Sequence, residues 1–196
     1  HTEEQEAVLA VQKMFPKKEL HTYQDVITLG LRLLYGIARY AKQAGPSLRT
    51  AVSICGRHIQ LPCPKLFSGL KRMLRYCKDA HDSPVIYKQQ AIAPTTPPSV
   101  TVVAQSDAAF NDDLDTGLSQ TGYVLALEGQ APFDTSSTQS KTAKTSTYMA
   151  EKSAAATACK AIVYTTNLLK ELRLHNGKPT ELHIDNQAAH LDLSSR

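Results

Sequence analysis

A chain of 196 residues, 42% hydrophobic and 20% charged, can bury one ordinary core or two small ones. No run reaches the ~18 consecutive apolar residues that a helix needs to cross a bilayer, and His1 opens no signal-peptide pattern; a globular protein with no membrane partner is expected, or a fragment of one if a leader preceded it. Charge is divided unevenly: residues 1–98 hold 14 Lys and Arg against 7 Asp and Glu, residues 99–196 hold 8 against 11, and the total is +4. A basic half beside an acidic half suggests a surface for a polyanion next to a place that holds cations.

The first half reads as helical. In "YQDVITLGLRLLYGIARYAKQAG", Val26, Leu29, Leu33, Ile37 and Ala41 recur at helical spacing, and Gly45-Pro46 ends the pattern. Leu48, Ala51, Val52, Cys55 and Ile59 repeat it in "SLRTAVSICGRHIQ". A third segment opens on Pro64, which suits a first helical turn, and carries Leu66, Leu70, Met73, Leu74 and Cys77 as its apolar stripe. Three such helices can bury one another. Lys71, Arg72, Arg75 and Lys78 surround the third stripe; they are candidates for contact with nucleic-acid phosphates, although four cations on one helix also make an ordinary solvated face. The cysteines Cys55, Cys63, Cys77 and Cys159 form no C-x-x-C pair, which fits free thiols in a reducing, intracellular compartment better than disulfides.

"QQAIAPTTPPS", residues 89–99, contains three prolines and two adjacent threonines and reads as a linker. The expected organisation is a helical segment over 1–90, a linker over 91–98 and a second domain over 99–196. Periodicity changes after the linker. "SVTVVAQSDAAF" and "TGYVLALEG" are short and β-branched, and "FDTSSTQS" suits an edge strand. An alanine-rich helix from about Lys144 to Arg173 follows, then the turn "HNGKPT", the strand "ELHID" and the start of another helix at Gln187.

Glu151 is the anomaly in the long helix. At about 100° per residue it falls in the middle of the stripe made by Ala155, Ala158, Ile162 and Leu169, while Lys160 falls opposite. A carboxylate aimed at a core must be paired, hydrogen-bonded, protonated or bound to a metal. Asp107, at the end of the first strand, and Asp185, at the end of the fourth, meet it if those strands lie side by side beneath the helix. Clustered hard oxygens suit Mg²⁺ or Mn²⁺, and paired ions of this kind cleave phosphodiesters. The bland alternative for Asp185 is a helix cap, which Asp185 or Asn186 in "IDNQAAH" can provide. Asp115-Thr116-Gly117 spells the triplet of aspartic proteases, but the polar "FNDDL" before it argues for an ordinary turn. His175, His183 and His190 are too irregularly spaced for a zinc site.

These residues resemble a known family. "SDAAFNDDLDTGLSQTGYV", "TSTYMAEKSAAATACKAIVYTTNLLKELRL" and "LHIDNQAA" are similar to the ribonuclease H domain of copia-type retrotransposon polyproteins, and "YQDVITLGLRLLYGIARY" through "LKRMLRYCKDAHDSPVIYK" to the segment joining reverse transcriptase to that domain. The resemblance implies an α/β fold with a ribonuclease H-like mixed sheet and packed helices, preceded by a helical N-terminal segment. It implies a metal-dependent endonuclease that cuts the RNA strand of RNA/DNA hybrids, with Asp107, Glu151 and Asp185 as catalytic metal ligands for Mg²⁺ or Mn²⁺. Asn186 and Gln187, in the D-N-Q motif, join Lys71, Arg72, Arg75 and Lys78 as expected nucleic-acid contacts.

The chain also departs from the family. Met149 replaces a glutamate, Lys152 a tyrosine, and Thr138 and Gln139 a pair of lysines, and no strand and helix with a fourth acidic residue follow before Arg196. The alternative these departures support is a catalytically inactive, repurposed ribonuclease H-like fold that binds a protein or nucleic acid as an adaptor or effector.

Overall fold

The helical periodicity of the first half is realised in a computed structural model that describes residues 2–44, 46–59, 63–80, 85–88 and 99–194. By its internal contacts the chain divides into two units, His1–Ser83 and Pro84–Arg196. The stretch read as a linker, 91–98, and Gly45 of the helix stop lie outside the described residues.

The first unit comprises α1 (Thr2–Met14), α2 (Tyr23–Ala44), a 3₁₀ turn at Pro46–Leu48, α3 (Arg49–Arg57) and α4 (Pro64–Asp79). Leu31, Ala38, Leu48, Val52, Leu66, Leu70 and Met73 form its core, with Leu34, Ala51, Cys55, Ile59 and Cys77 packed against them. The stripes read for α3 and α4 face this core. For α2 the stripe is met only in part: Ala41 packs against the core, but the fully buried residues lie on another face. Leu31 and Ala38 are buried, whereas Leu33 and Ile37 of the expected stripe are 46% and 56% exposed. Apolar residues occupy two arcs of α2, and at about 100° per residue Leu33 lies nearly opposite Leu31; period alone does not choose between them. Helix α1 was not legible as a helix because it has no sharply apolar side: none of its described side chains is buried. Helix α4 begins on Cys63, whose Sγ accepts from the Leu66 amide at 3.4 Å, and Pro64 fills the first turn, where a missing N–H is harmless.

The second unit contains a four-stranded sheet in the order β3-β2-β1-β4, with β1 at Val102–Ala109, β2 at Gln120–Leu127, β3 at Pro132–Gln139 and β4 at Glu181–Ile184. Strands β1, β2 and β3 form an antiparallel meander, and β4 pairs parallel to β1. A parallel neighbour requires a crossover, here α5 (Thr147–Glu171), which starts at the cap Ser146 and packs on β1, β2 and β4. Ala150, Ala154, Ala155 and Ala158 are buried in α5 beside Val102, Ala104 and Leu125 of the sheet; small side chains let the helix approach closely. The chain ends its described course in α6 (Gln187–Ser194). A mixed sheet with a helix packed across it, after a helical segment, is the ribonuclease H-like α/β architecture expected. The Ser/Thr-rich strand takes an edge, as its composition suggested.

Val85–Lys88 lie with the second unit: Tyr87 Oη donates to the Pro132 carbonyl at 2.8 Å, and the Lys88 amide to Gln130 Oε1 at 2.6 Å. The Asp-Thr-Gly triplet sits in the turn between β1 and β2, organised by Asp113. Its Oδ1 accepts from the amides of Asp115 and Thr116 at 3.1 and 3.4 Å, and its Oδ2 from Gln139 Nε2 at 2.6 Å. Hydrogen bonds from the Thr116 and Gln139 side chains and from these amides hold the Asp113 carboxyl below its ordinary range. Among the described residues no helix is long and apolar enough to cross a membrane.

Candidate metal centre

The β1–β4 ladder brings two aspartates to one place. Its register runs to Ser106 opposite Ile184, so Asp107 and Asp185 each follow the last paired residue. Asp107 is not at the end of its own strand, as the sequence suggested, because β1 continues to Ala109 along β2. It is the short β4 that stops there. Across the other ladder Asp107 faces Gly122; directly opposed residues project from the same face, and a glycine leaves that side of the carboxylate uncovered. A Cβ at Gly122 would lie 3.2 Å from the Ser136 carbonyl oxygen, so close passage of β3 also favours glycine. The glycine within "TGYV" was the available signal for this neighbour.

Helix α5 delivers the third carboxylate. Glu151 is 6% exposed, in a row of buried alanines. Carboxylate oxygens of Asp107, Glu151 and Asp185 lie within 4.8 Å of one another. Burial pushes the Glu151 carboxyl up, and the charges of Asp185 and then Asp107 push it further, against a hydrogen bond from the Ala108 backbone. Its Oε2 is buried with no hydrogen-bond partner. No described Lys, Arg or His forms an ion pair with any of the three. The adjacent Lys152 reaches away, to Asp192 Oδ2 at 2.6 Å.

The orphaned buried oxygen belongs to a group of three converging carboxylates that could hold a cation. The donors are all hard oxygens, the set that suits Mg²⁺ or Mn²⁺.

At the end of β4 the cap and the clustered carboxylate are two different residues. Asn186 is the cap: its Oδ1 accepts from the Ala189 amide at 3.0 Å. Asp185 is left for the cluster. Gln187 is exposed in the first turn of α6, and Lys71, Arg72, Arg75 and Lys78 are exposed along α4 of the other unit, with Lys71 Nζ 5.3 Å above the Phe67 ring. Sequence reasoning missed Gly122, and it missed the tie between Lys152 and Asp192, forty residues apart.

The chain aligns with two curated proteins of Arabidopsis thaliana. The retrovirus-related Pol polyprotein from transposon RE2 is 27% identical over 158 residues, which are 81% of this chain and 10% of that protein. The chain is similar to part of a retrotransposon Pol polyprotein. The corresponding polyprotein from transposon RE1 is 26% identical over the same shares, so the chain spans about a tenth of the length of the Pol relatives it matches. No protein-family model matches it, nor does any solved structure.

Proposed function

We propose that the second unit is a metal-dependent endonuclease that cleaves the RNA strand of RNA/DNA hybrids. The observation that carries the proposal is the buried, partnerless Oε2 of Glu151 within a cluster completed by Asp107 and Asp185. Divalent ions held there supply an activated water and charge stabilisation for a departing oxygen. The residues supply position. Asp107 is fixed within a central strand, Asp185 at the end of its parallel neighbour, and Glu151 by close packing of α5. Gly122 keeps one approach to Asp107 open, which a phosphodiester needs. Relationship to Pol polyproteins supports a nucleic-acid substrate. The exposed cations of α4 would contact its backbone, and Asn186 and Gln187 would lie beside the strand being cut.

Asp185→Asn tests this directly. It should lower Mg²⁺-dependent cleavage by more than about 100-fold, since even outer partners of metal ligands contribute 10–100-fold, while circular dichroism and hybrid binding stay nearly unchanged. Loss of the fold instead would make Asp185 structural.

The competing reading is an inactive fold that binds without cutting. Its support is β3, where Gln139 is committed to Asp113 and the Thr138 carbonyl to the Thr121 hydroxyl, in place of a lysine pair. A folded wild-type protein that binds hybrid and leaves it uncut with either Mg²⁺ or Mn²⁺ would favour that reading.

A further inference from the structure

Helix α6 has eight residues, too few to be stable alone, yet Asp185 and its neighbouring cap Asn186 lead straight into it. Ala189 is fully buried, while Leu191 and Leu193 are 61% and 40% exposed. One polar attachment is Asp192. Its Oδ2 accepts from Lys152 Nζ at 2.6 Å and from Tyr148 Oη at 2.8 Å, and Lys152 Nζ also lies 3.2 Å from Tyr148 Oη. Tyr148 and Lys152 are one turn apart on α5, on either side of Glu151 in sequence. The same helical turn that carries Glu151 therefore grips the helix that follows Asp185.

We propose that Lys152, Tyr148 and Asp192 form a clamp that positions Asp185 against Glu151, making Lys152 and Asp192 positioning residues for divalent-ion binding at the carboxylate cluster. The proposal rests on the metal-site reading above. Lys152, conspicuous as a departure from the related pattern, becomes one half of a pair whose other half is Asp192. A cation next to Glu151 would ordinarily compete with a metal; here its ammonium group hydrogen-bonds to Asp192 and Tyr148 instead.

The two roles open to Lys152 predict opposite signs. If it acts only through its charge, Lys152→Met removes a positive charge near the cluster and tightens ion binding. If it clamps, the same change frees α6 and weakens it. Mn²⁺ binding to the full chain, followed by the electron-paramagnetic signal of free Mn²⁺, should weaken about tenfold in Lys152→Met and in Asp192→Asn, the low end for outer partners of metal ligands. The double variant should be no weaker than either single one, because both break one interaction. Lys152→Arg should restore binding. Hydrogen exchange at the α6 amides should accelerate in both single variants.

Unchanged or tighter Mn²⁺ binding in Lys152→Met, with its circular dichroism that of the wild type, would overturn the clamp. Wild-type protein that takes up no Mn²⁺ would instead contradict the metal-site reading. The exchange rates in α6 would then still decide the clamp, with unchanged protection in both variants counting against it.

Discussion

Glu151 shows how one residue links sequence, stability and function. A glutamate in an alanine stripe is legible as an anomaly, and the structure buries it with one oxygen unpartnered. Its carboxyl is raised by burial first, then by Asp185 and Asp107. The sign of the linkage follows: a raised folded value favours the protonated form in the native state. Its contribution to stability is thus full below the unfolded value of about 4.3 and is lost as pH rises through the folded one. In ion-free protein, Glu151→Gln should therefore be stabilising at pH 7–8, by about 1 kcal/mol, or ~4–8 °C in the midpoint of a unit of this size. The difference should close below about pH 4. Calorimetry of both proteins in EDTA across that range checks it, and Mg²⁺ should stabilise the wild type more than the variant. A gap that does not change with pH would show that Glu151 is not held as a strained carboxylate.

Elements were legible where one physical signal dominated. The β-branched run of "VTVVAQSD", the alanine stripe of α5 and the D-N-Q turn each specify their structure locally, and so the three carboxylates could be named before they could be placed. Placement depended on pairing. That Asp107 lies inside β1 rather than at its end follows from the β2 ladder, which carries β1 on to Ala109 past the end of the four-residue β4. No local feature of "VVAQSDAA" encodes the length of its partner. Helix α2 formed where its period placed it, but its buried face was not legible, because it has two apolar arcs and a tertiary choice between them. Asn186 illustrates an element-scale prediction. Loss of its cap in Asn186→Ala should cost about 1 kcal/mol and expose the first turn of α6 to exchange, while leaving Asp185 its carboxylate. Cleavage should fall far less than in Asp185→Asn, and equal losses would mean that the cap and the ligand had been assigned the wrong way round.

At the scale of the whole molecule, the charge division corresponds to two units of different composition: a helical unit with exposed Lys71, Arg72, Arg75 and Lys78, and a sheet unit with the carboxylates. If all four cations contact phosphates, replacing them together with alanine should reduce the slope of log affinity against log salt by up to about 3.6, at ~0.9 per duplex phosphate. Filter binding of a hybrid at several salt concentrations measures that slope. An unchanged slope would remove α4 from the interface while leaving the metal centre untouched.

The most direct test of the central claim is cleavage of an end-labelled RNA/DNA hybrid by the wild-type chain, with Mg²⁺ or Mn²⁺, with EDTA, and beside the Asp107→Asn variant. Metal-dependent cutting of the RNA strand that disappears with EDTA and in the variant is the predicted result. Cutting that survives both, or none from a folded wild-type chain with either ion, would contradict it.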